Sequence, residues 1–151
     1  MIDSTLVLIS LQALVVAFLA LHDWIPLGSL NDLDAVQAAD SRAKLVRTTL
    51  LSTVPYAIGF VASVLYARTG FPSWLRWWLW ISYGALVYGM VRAWWLPYFF
   101  VNDRVRAERY RRMFEHTHSF MPERNGIRPN TLHVIFHVAV LAVVALLISA
   151  L

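Results

Sequence analysis

The chain of 151 residues contains no cysteine, which excludes structural disulfides, catalytic thiolates and metal sites with cysteine ligands. It also has few charged residues. Aspartate, glutamate, lysine and arginine make up 15 % of the chain, against roughly 25 % in typical soluble domains. The chain also lacks a glycine-rich phosphate-binding loop, which excludes a P-loop nucleotidase. Together these absences argue against a soluble enzyme.

Apolar residues dominate the composition. They make up 59 % of the chain, and several windows are apolar over the roughly 20 residues that a helix needs to cross a bilayer. We therefore predict an all-α integral membrane protein that forms a single domain over residues 1–151. The formal charge of +4 comes from basic residues beside the predicted spans. Membrane topology and anionic lipid head groups explain this charge without nucleic acid.

Four membrane-spanning helices are predicted from the apolar windows, which together would form a four-helix bundle. They cover about residues 5–22, 46–67, 73–98 and 131–151, and they leave loops at 23–45 and 99–130. The first span follows Asp3 without a lysine or arginine, and no A-x-A site comes after it. We therefore expect a retained helix rather than a cleaved signal peptide. The second span should continue a helix that begins near Leu33, since no helix breaker follows until Pro55.

Two patterns indicate how the second and third spans meet lipid and each other. The third span has tryptophan at both ends, which is typical of a helix that meets the two membrane interfaces. Small residues recur at four-residue spacing in both spans. They are Pro55, Gly59, Ser63 and Ala67 in the second span, and Ala85, Gly89 and Ala93 in the third. Such stripes allow helices to pack closely in lipid and would permit a homo-oligomer.

The distribution of lysine and arginine predicts the orientation. The first and third connections and their flanks hold ten of these residues, namely Arg42, Lys44, Arg47, Arg104, Arg106, Arg109, Arg111, Arg112, Arg124 and Arg128. The second connection holds only Arg68 and Arg76. The positive-inside rule therefore places both termini outside and the basic connections in the cytoplasm of a cell (inner) membrane. Residues 102–115 should form an amphipathic surface helix between spans three and four.

This orientation gathers all five histidines at the cytoplasmic interface. His133 and His137 lie four residues apart on one face of the last helix, so they are the primary candidate metal ligands. His22, His116 and His118 are candidates to complete the site. Asp23 or Glu115 would orient a ligand or act as a general base. Imidazole and carboxylate without thiolate suit Zn²⁺, Fe²⁺ or Mn²⁺, and a water activated there could attack an ester or phosphoester of a lipid.

His133-x-x-x-His137 and His116-x-His118 resemble parts of the histidine boxes of membrane di-iron hydroxylases and desaturases. Members of that family have more histidines than the five present here, and this chain has no HxxHH box, so we do not assign it to the family. Haem held by two histidines ranks below a divalent metal, because His22 and His137 would lie near one face of the bundle.

A second hypothesis is non-catalytic. The protein would bind a lipid or amphiphile, or act as an accessory or oligomeric transport subunit. Its histidines would then be structural or sense pH, since the ordinary pKa of histidine is about 6.5. In both hypotheses Arg92, Arg109 and Arg112 would receive an anionic head group. The sequence leaves the two hypotheses open.

Overall fold

Every regular element in the described part of the chain is a helix. The computed structural model describes residues 4–150, with the exception of the side chain of Ala150. Helices account for 75 % of the structure, and these residues form no strand beyond an isolated bridge between Arg124 and Ile127. The predicted all-α fold is therefore confirmed. Asp3, and the end of the last predicted span at Leu151, lie outside the described residues.

The helices differ greatly in length. In chain order they are α1 (Ser4–Leu21), α2 (Leu33–Ala39), α3 (Arg42–Leu65), α4 (Ser73–Met90), α5 (Leu96–Phe99), α6 (Arg104–Phe114) and α7 (Thr131–Ala150). A 3-10 turn at Gly28–Leu30 precedes α2. A π-helical segment at Val91–Trp95 joins α4 to α5, so the backbone stays helical from Ser73 to Phe99.

Among the described residues, three helices are long and apolar enough to cross a membrane. They are Ser4–Leu21, Arg42–Leu65 and Thr131–Ser149, which correspond to the first, second and fourth predicted spans. α4 occupies the third predicted span but is rich in tryptophan, tyrosine and glycine, residues that are less apolar than leucine or valine. The chain is therefore built to associate with a membrane, and three of its helices qualify as spans by length and apolarity.

The predicted continuous helix from Leu33 is wrong, because the chain breaks between α2 and α3. Asp40 is extended, with φ −137° and ψ 142°, and ends α2. Ser41 then caps α3, since its hydroxyl accepts a hydrogen bond from the backbone N–H of Lys44 at 3.4 Å. The sequence contains no helix breaker here, but serine competes for backbone hydrogen bonds and so favours a new helix start. The break turns α2 away from α3 as a separate short helix.

Four long helices pack side by side: α1, α3, α4 and α7 each contact two of the others. Val15, Tyr83 and Val140 are fully buried in their shared core. A β-carbon added at Gly59 of α3 would lie 3.0 Å from Cδ2 of Leu79 on α4, so the first small-residue stripe is a close packing face. A β-carbon at Gly89, in the second stripe, would meet no atom within 4 Å. Gly89 is therefore not a packing position within one chain, although Ala93 of the same stripe packs beside Trp94.

α6 lies at the end of the bundle where α1 finishes and where α3 and α7 begin, which we name the α6 end. The guanidinium Nη1 of Arg106 donates hydrogen bonds to the carbonyl oxygens of Arg92 at 2.6 Å and Ala93 at 3.1 Å. The hydroxyl of Tyr110 donates to the same Ala93 oxygen at 3.2 Å. α6 is therefore fastened to the π-helical segment, and it also contacts α2.

The connection between α6 and α7 folds back onto the first connection. The backbone N–H of His118 donates to Ser29 O at 2.6 Å, and that of Thr131 donates to His118 O at 2.9 Å. A tight turn at Asn125 (φ 51°) and Gly126 (φ 74°) reverses the chain next to α6. A β-carbon at Gly126 would lie 2.8 Å from Cβ of Ala107, so glycine is required there for both its backbone conformation and its size.

Candidate functional site

Three of the five histidines meet where α1 ends and α7 begins. His22 directly follows α1, and His133 and His137 lie in the first two turns of α7. The ring centroid of His133 is 5.7 Å from that of His22 and 6.3 Å from that of His137. His137 is buried, whereas His22 and His133 are half-buried. We name these three residues the histidine cluster.

Aromatic rings from several elements surround the histidine cluster. Phe18 of α1 stacks on His22 with a centroid distance of 4.2 Å. Trp94 of the π-helical segment lies 4.7 Å from His133, and Phe114 of α6 lies 5.2 Å from it. These contacts hold the imidazoles in a ring-lined interior rather than in open solvent.

Asn130 fixes the tautomer of His133. Its Nδ2 donates to the carbonyl oxygen of Leu30 at 3.2 Å, which leaves Oδ1 as an acceptor. This Oδ1 accepts the backbone N–H of His133 at 3.1 Å and contacts Nδ1 of the same histidine at 2.6 Å. Because an amide oxygen can only accept, Nδ1 of His133 carries the hydrogen. In the neutral imidazole, the lone pair therefore lies on Nε2.

His22 and Asp23 form a close pair at the end of α1. Nδ1 of His22 lies 2.8 Å from the carbonyl oxygen of Phe18, so this nitrogen carries a hydrogen. Nε2 of His22 lies 3.2 Å from Oδ1 of Asp23. Burial raises the pKa of Asp23; the charge of Asp40 also raises it, and His22 opposes the shift.

The other predicted members of the site lie elsewhere. Nδ1 of His118 contacts the hydroxyl of Thr131 at 2.7 Å, so this histidine fastens the loop to the start of α7. His116 is exposed beside Asp32 and Asp34, and Glu115 is exposed and pairs with Arg111 at 2.9 Å. In the part of the chain that the structure describes, no group of three or more histidine, aspartate or glutamate side chains is placed to hold a metal ion.

The predicted head-group arginines lie on the surface at the α6 end. Nη2 of Arg109 contacts Oδ2 of Asp40 at 2.6 Å, and Nε of Arg112 contacts Oε1 of Glu108 at 2.7 Å. Arg92 is exposed in the π-helical segment. Lys44 also binds the carboxylate of Asp40. Burial favours a higher pKa for Asp40, but the hydrogen bond from Lys44 and the charge of Arg109 hold it below its usual value.

A groove of about 910 Å³ separates α2 from α6. We name it the α2–α6 groove. Alanines form its α2 side, and basic, acidic and apolar residues form its α6 side. The lining residues are Ala35, Ala38, Ala39, Arg104, Val105, Glu108, Arg109 and Arg112.

Several contributors were missed at the sequence level. The alanines at 35, 38 and 39 follow the i, i+3, i+4 spacing of one helical face, which could have revealed the groove. Asn130 and Trp94 also contribute to the histidine cluster. Their contacts with His133 depend on the tertiary fold.

Comparisons with known proteins found no matching family model, no matching curated protein and no matching solved structure.

Proposed function

We propose that the chain is a multi-pass inner-membrane protein with four spans, both termini outside and the α6 end in the cytoplasm. Two observations support this arrangement. The helical path from Ser73 to Phe99 is long enough to supply the fourth span, and it has tryptophans such as Trp77 and Trp94 near its two ends. Ten lysines and arginines belong to the connections at the α6 end, which the positive-inside rule places in the cytoplasm.

Within this arrangement, we assign the protein a non-catalytic role in binding an anionic membrane lipid. The α2–α6 groove carries the proposal, because it combines an alanine wall with three arginines. Small apolar side chains leave room for the glycerol part of a lipid, and guanidinium groups bind phosphate oxygens in a bidentate manner. This combination fits a phospholipid head group at the membrane interface.

The ion pairs in the groove distinguish a positioning arginine from those free to bind. Arg109 is held by Asp40, which ties α6 to the start of α3. Arg104 makes no ion pair with any described residue, and the side chain of Arg112 is 71 % exposed although it contacts Glu108. Arg104 and Arg112 are therefore the residues that reach the phosphate. A basic residue near an anionic membrane surface contributes about 1 kcal/mol to binding.

The histidine cluster has a structural role in this proposal. It joins the end of α1 to the start of α7 through stacked rings and through Asn130. The hydrogen bond from Asn130 to Leu30 O also holds the loop between α1 and α2 in place. That loop leads into α2, which forms one wall of the groove.

The test uses full-length protein in a non-ionic detergent. Added phosphatidylglycerol should raise the melting temperature more than phosphatidylcholine does, because a ligand of the folded state stabilises it by about 2.7 kcal/mol at roughly 100 times its Kd. The Arg104→Ala/Arg112→Ala variant should lose this extra stabilisation. Arg68→Ala is the matched control, because Arg68 is an exposed arginine at the opposite end of α3. Equal stabilisation of the double variant and the control would contradict the proposal.

A second candidate function is a divalent-metal site at the histidine cluster. It is favoured by one observation, the Asn130 contact that leaves a lone pair on Nε2 of neutral His133, whose ring centroid lies 5.7 Å from that of His22. Such an outer contact typically orients a metal-ligating histidine. Since no three such side chains of the described residues are placed together for a metal ion, Zn²⁺ or Fe²⁺ held by His22 and His133 would need further ligands from water or lipid, and bound water could then attack a lipid ester.

Elemental analysis of protein purified without a metal-affinity tag tests this second candidate. The wild type should hold a stoichiometric metal, His133→Ala should lose it, and His118→Ala should keep it because His118 lies outside the cluster. Wild-type protein that contains no stoichiometric metal would eliminate the candidate.

A further inference from the structure

A second groove lies on the first turns of α3. It has a volume of about 640 Å³ and is lined by Arg42, Ala43, Val46, Arg47, Leu50 and Leu51. The apolar members are open to the surroundings, with Leu50 57 % and Leu51 70 % exposed. Arg42 and Arg47 make no ion pair with any described residue. An apolar strip on a membrane-crossing helix, with unpaired arginines at its start, fits an acyl chain below an anionic head group. We name this the α3 groove.

Asp40 connects the two grooves. Its carboxylate binds Lys44 of α3 and Arg109 of α6 at the same time. Lys44 lies one helical turn before Arg47 in the α3 groove, and Arg109 lies one turn before Arg112 in the α2–α6 groove. A row of basic side chains therefore runs from α3 past Asp40 to α6.

The charges leave two separate positions for phosphate. A phosphate between Lys44 and Arg109 would meet the Asp40 carboxylate that already binds both of them. On either side, Arg42 and Arg47 of α3 and Arg104 of α6 make no ion pair with a described residue, and Arg112, which contacts Glu108, is 71 % exposed. Two anionic groups placed on the two sides of Asp40 satisfy these arginines and avoid the carboxylate.

We propose that the lipid bound at the α6 end carries two phosphates, one held in the α2–α6 groove and the other in the α3 groove. This inference rests on the proposed function, because it names the class of lipid that the same basic surface selects. The exposed strip of Val46, Leu50 and Leu51 favours a lipid over a soluble diphosphate, since acyl chains cover it.

The test titrates delipidated full-length protein in detergent with three lipids and counts bound lipid by native mass spectrometry. Cardiolipin has two phosphates, phosphatidylglycerol has one, and phosphatidylcholine has no net charge. Cardiolipin should bind at least about fivefold more tightly than phosphatidylglycerol, which corresponds to one further basic contact of about 1 kcal/mol. Phosphatidylcholine should bind most weakly.

Three variants separate the two grooves. Arg47→Ala should lower the affinity for cardiolipin by about fivefold and leave that for phosphatidylglycerol at the α2–α6 groove unchanged. Arg112→Ala should lower the affinity for both lipids, and Arg68→Ala should leave both affinities unchanged. Melting curves recorded without lipid confirm that each variant is folded.

Different failures have different meanings. If cardiolipin and phosphatidylglycerol bind equally tightly, or if Arg47→Ala changes neither, the two-phosphate inference is overturned while the proposed function stands. If neither anionic lipid binds more tightly than phosphatidylcholine, both are overturned.

Inorganic pyrophosphate that displaces cardiolipin at equal concentration would overturn the assignment to a lipid. Association into a lipid-free dimer that Arg47→Ala abolishes would show a second copy of the chain on the α3 groove instead, and would also overturn it.

Discussion

Asn130 makes contacts in three directions with one side chain. Its amide nitrogen binds Leu30 O in the first connection, and its amide oxygen binds both the backbone N–H and the ring nitrogen of His133. The first of these oxygen contacts caps α7, and the second holds the histidine cluster in register. Because Asn130 is 1 % exposed, water cannot replace these hydrogen bonds.

We expect Asn130→Ala to lower the free energy of unfolding by about 2 kcal/mol, the sum of a lost cap and a buried donor left without a partner. Asn130→Asp should cost less, because its carboxylate can still accept the two hydrogen bonds from His133. Unfolding in mixed detergent micelles measures both. Equal destabilisation by the two substitutions would show that the acceptor oxygen has no special role.

Asp40 gives the α6 end a dependence on pH that can be predicted in sign. Its pKa is held below the usual value by Lys44 and Arg109, so the charged form is favoured in the folded protein. The stabilisation is therefore complete above the ordinary pKa of about 4 and is lost as the pH falls below it. Melting temperatures of the wild type and Asp40→Asn should differ at neutral pH and converge below pH of about 4. A constant difference down to the lowest pH would contradict this role.

At the scale of elements, close packing of α3 on α4 depends on Gly59. A side chain there must displace Leu79 and Trp78, whose nearest atoms lie 3.0 Å and 3.4 Å from an added β-carbon. In lipid, helices associate mainly through such close contacts, because burying apolar surface contributes little where the surroundings are apolar.

Gly59→Val should therefore destabilise the folded protein by about 1–3 kcal/mol, the usual cost of overpacking. Gly89→Val is the matched control. It makes the same change in a helix, but a β-carbon added at Gly89 would have no neighbouring atom within 4 Å. Denaturation in mixed micelles compares the two. If Gly89→Val were the more damaging change, the second small-residue stripe would be the more important packing face, as in an oligomer.

The elements that could be predicted from the sequence are those with a strong local signal. The apolar runs of α1 and α7 identify helices that are long and apolar enough to span a membrane without any tertiary information. For the N-cap of α2 the sequence offers Asn31 or Asp32, and the structure uses Asp32. The break at Asp40 and Ser41 has a weaker signal, because each residue is also tolerated inside a helix. Its effect is nevertheless large, since the break creates the short α2 that forms one wall of the groove.

The candidate site could be predicted only in part, because spacing along one helix does not report contacts between elements. His133 and His137 share one face of α7, as their four-residue spacing indicates. The approach of His22 depends on how α1 packs against α7. His118 approaches Thr131 rather than the histidine cluster, because the loop pairs with Ser29 through its backbone. No local pattern in the sequence specifies that pairing.

For the whole molecule, orientation in the membrane is the property on which the lipid proposal depends. The absence of cysteine makes it directly measurable, because a single introduced thiol has no background. Thr69 and Glu123 are exposed residues in the second and third connections. They should lie on opposite sides of the membrane if α4 and its continuation form the fourth span.

In intact cells, a membrane-impermeant maleimide should label Thr69→Cys, whereas Glu123→Cys should react only after lysis. This outcome follows from the unequal numbers of basic residues in the two connections. Labelling of both positions in intact cells would mean that α4 does not cross the membrane. The reverse pattern would place the basic surface outside.

The central claim is that the arginines of the α2–α6 groove hold an anionic membrane lipid. The most direct measurement is the phospholipid that remains with the protein after gentle purification from membranes, identified and counted by mass spectrometry. Wild type and Arg68→Ala should retain anionic phospholipid above its fraction in the membrane, and Arg104→Ala/Arg112→Ala should retain it only at that fraction. Equal enrichment in all three proteins, or enrichment in none, would contradict the account.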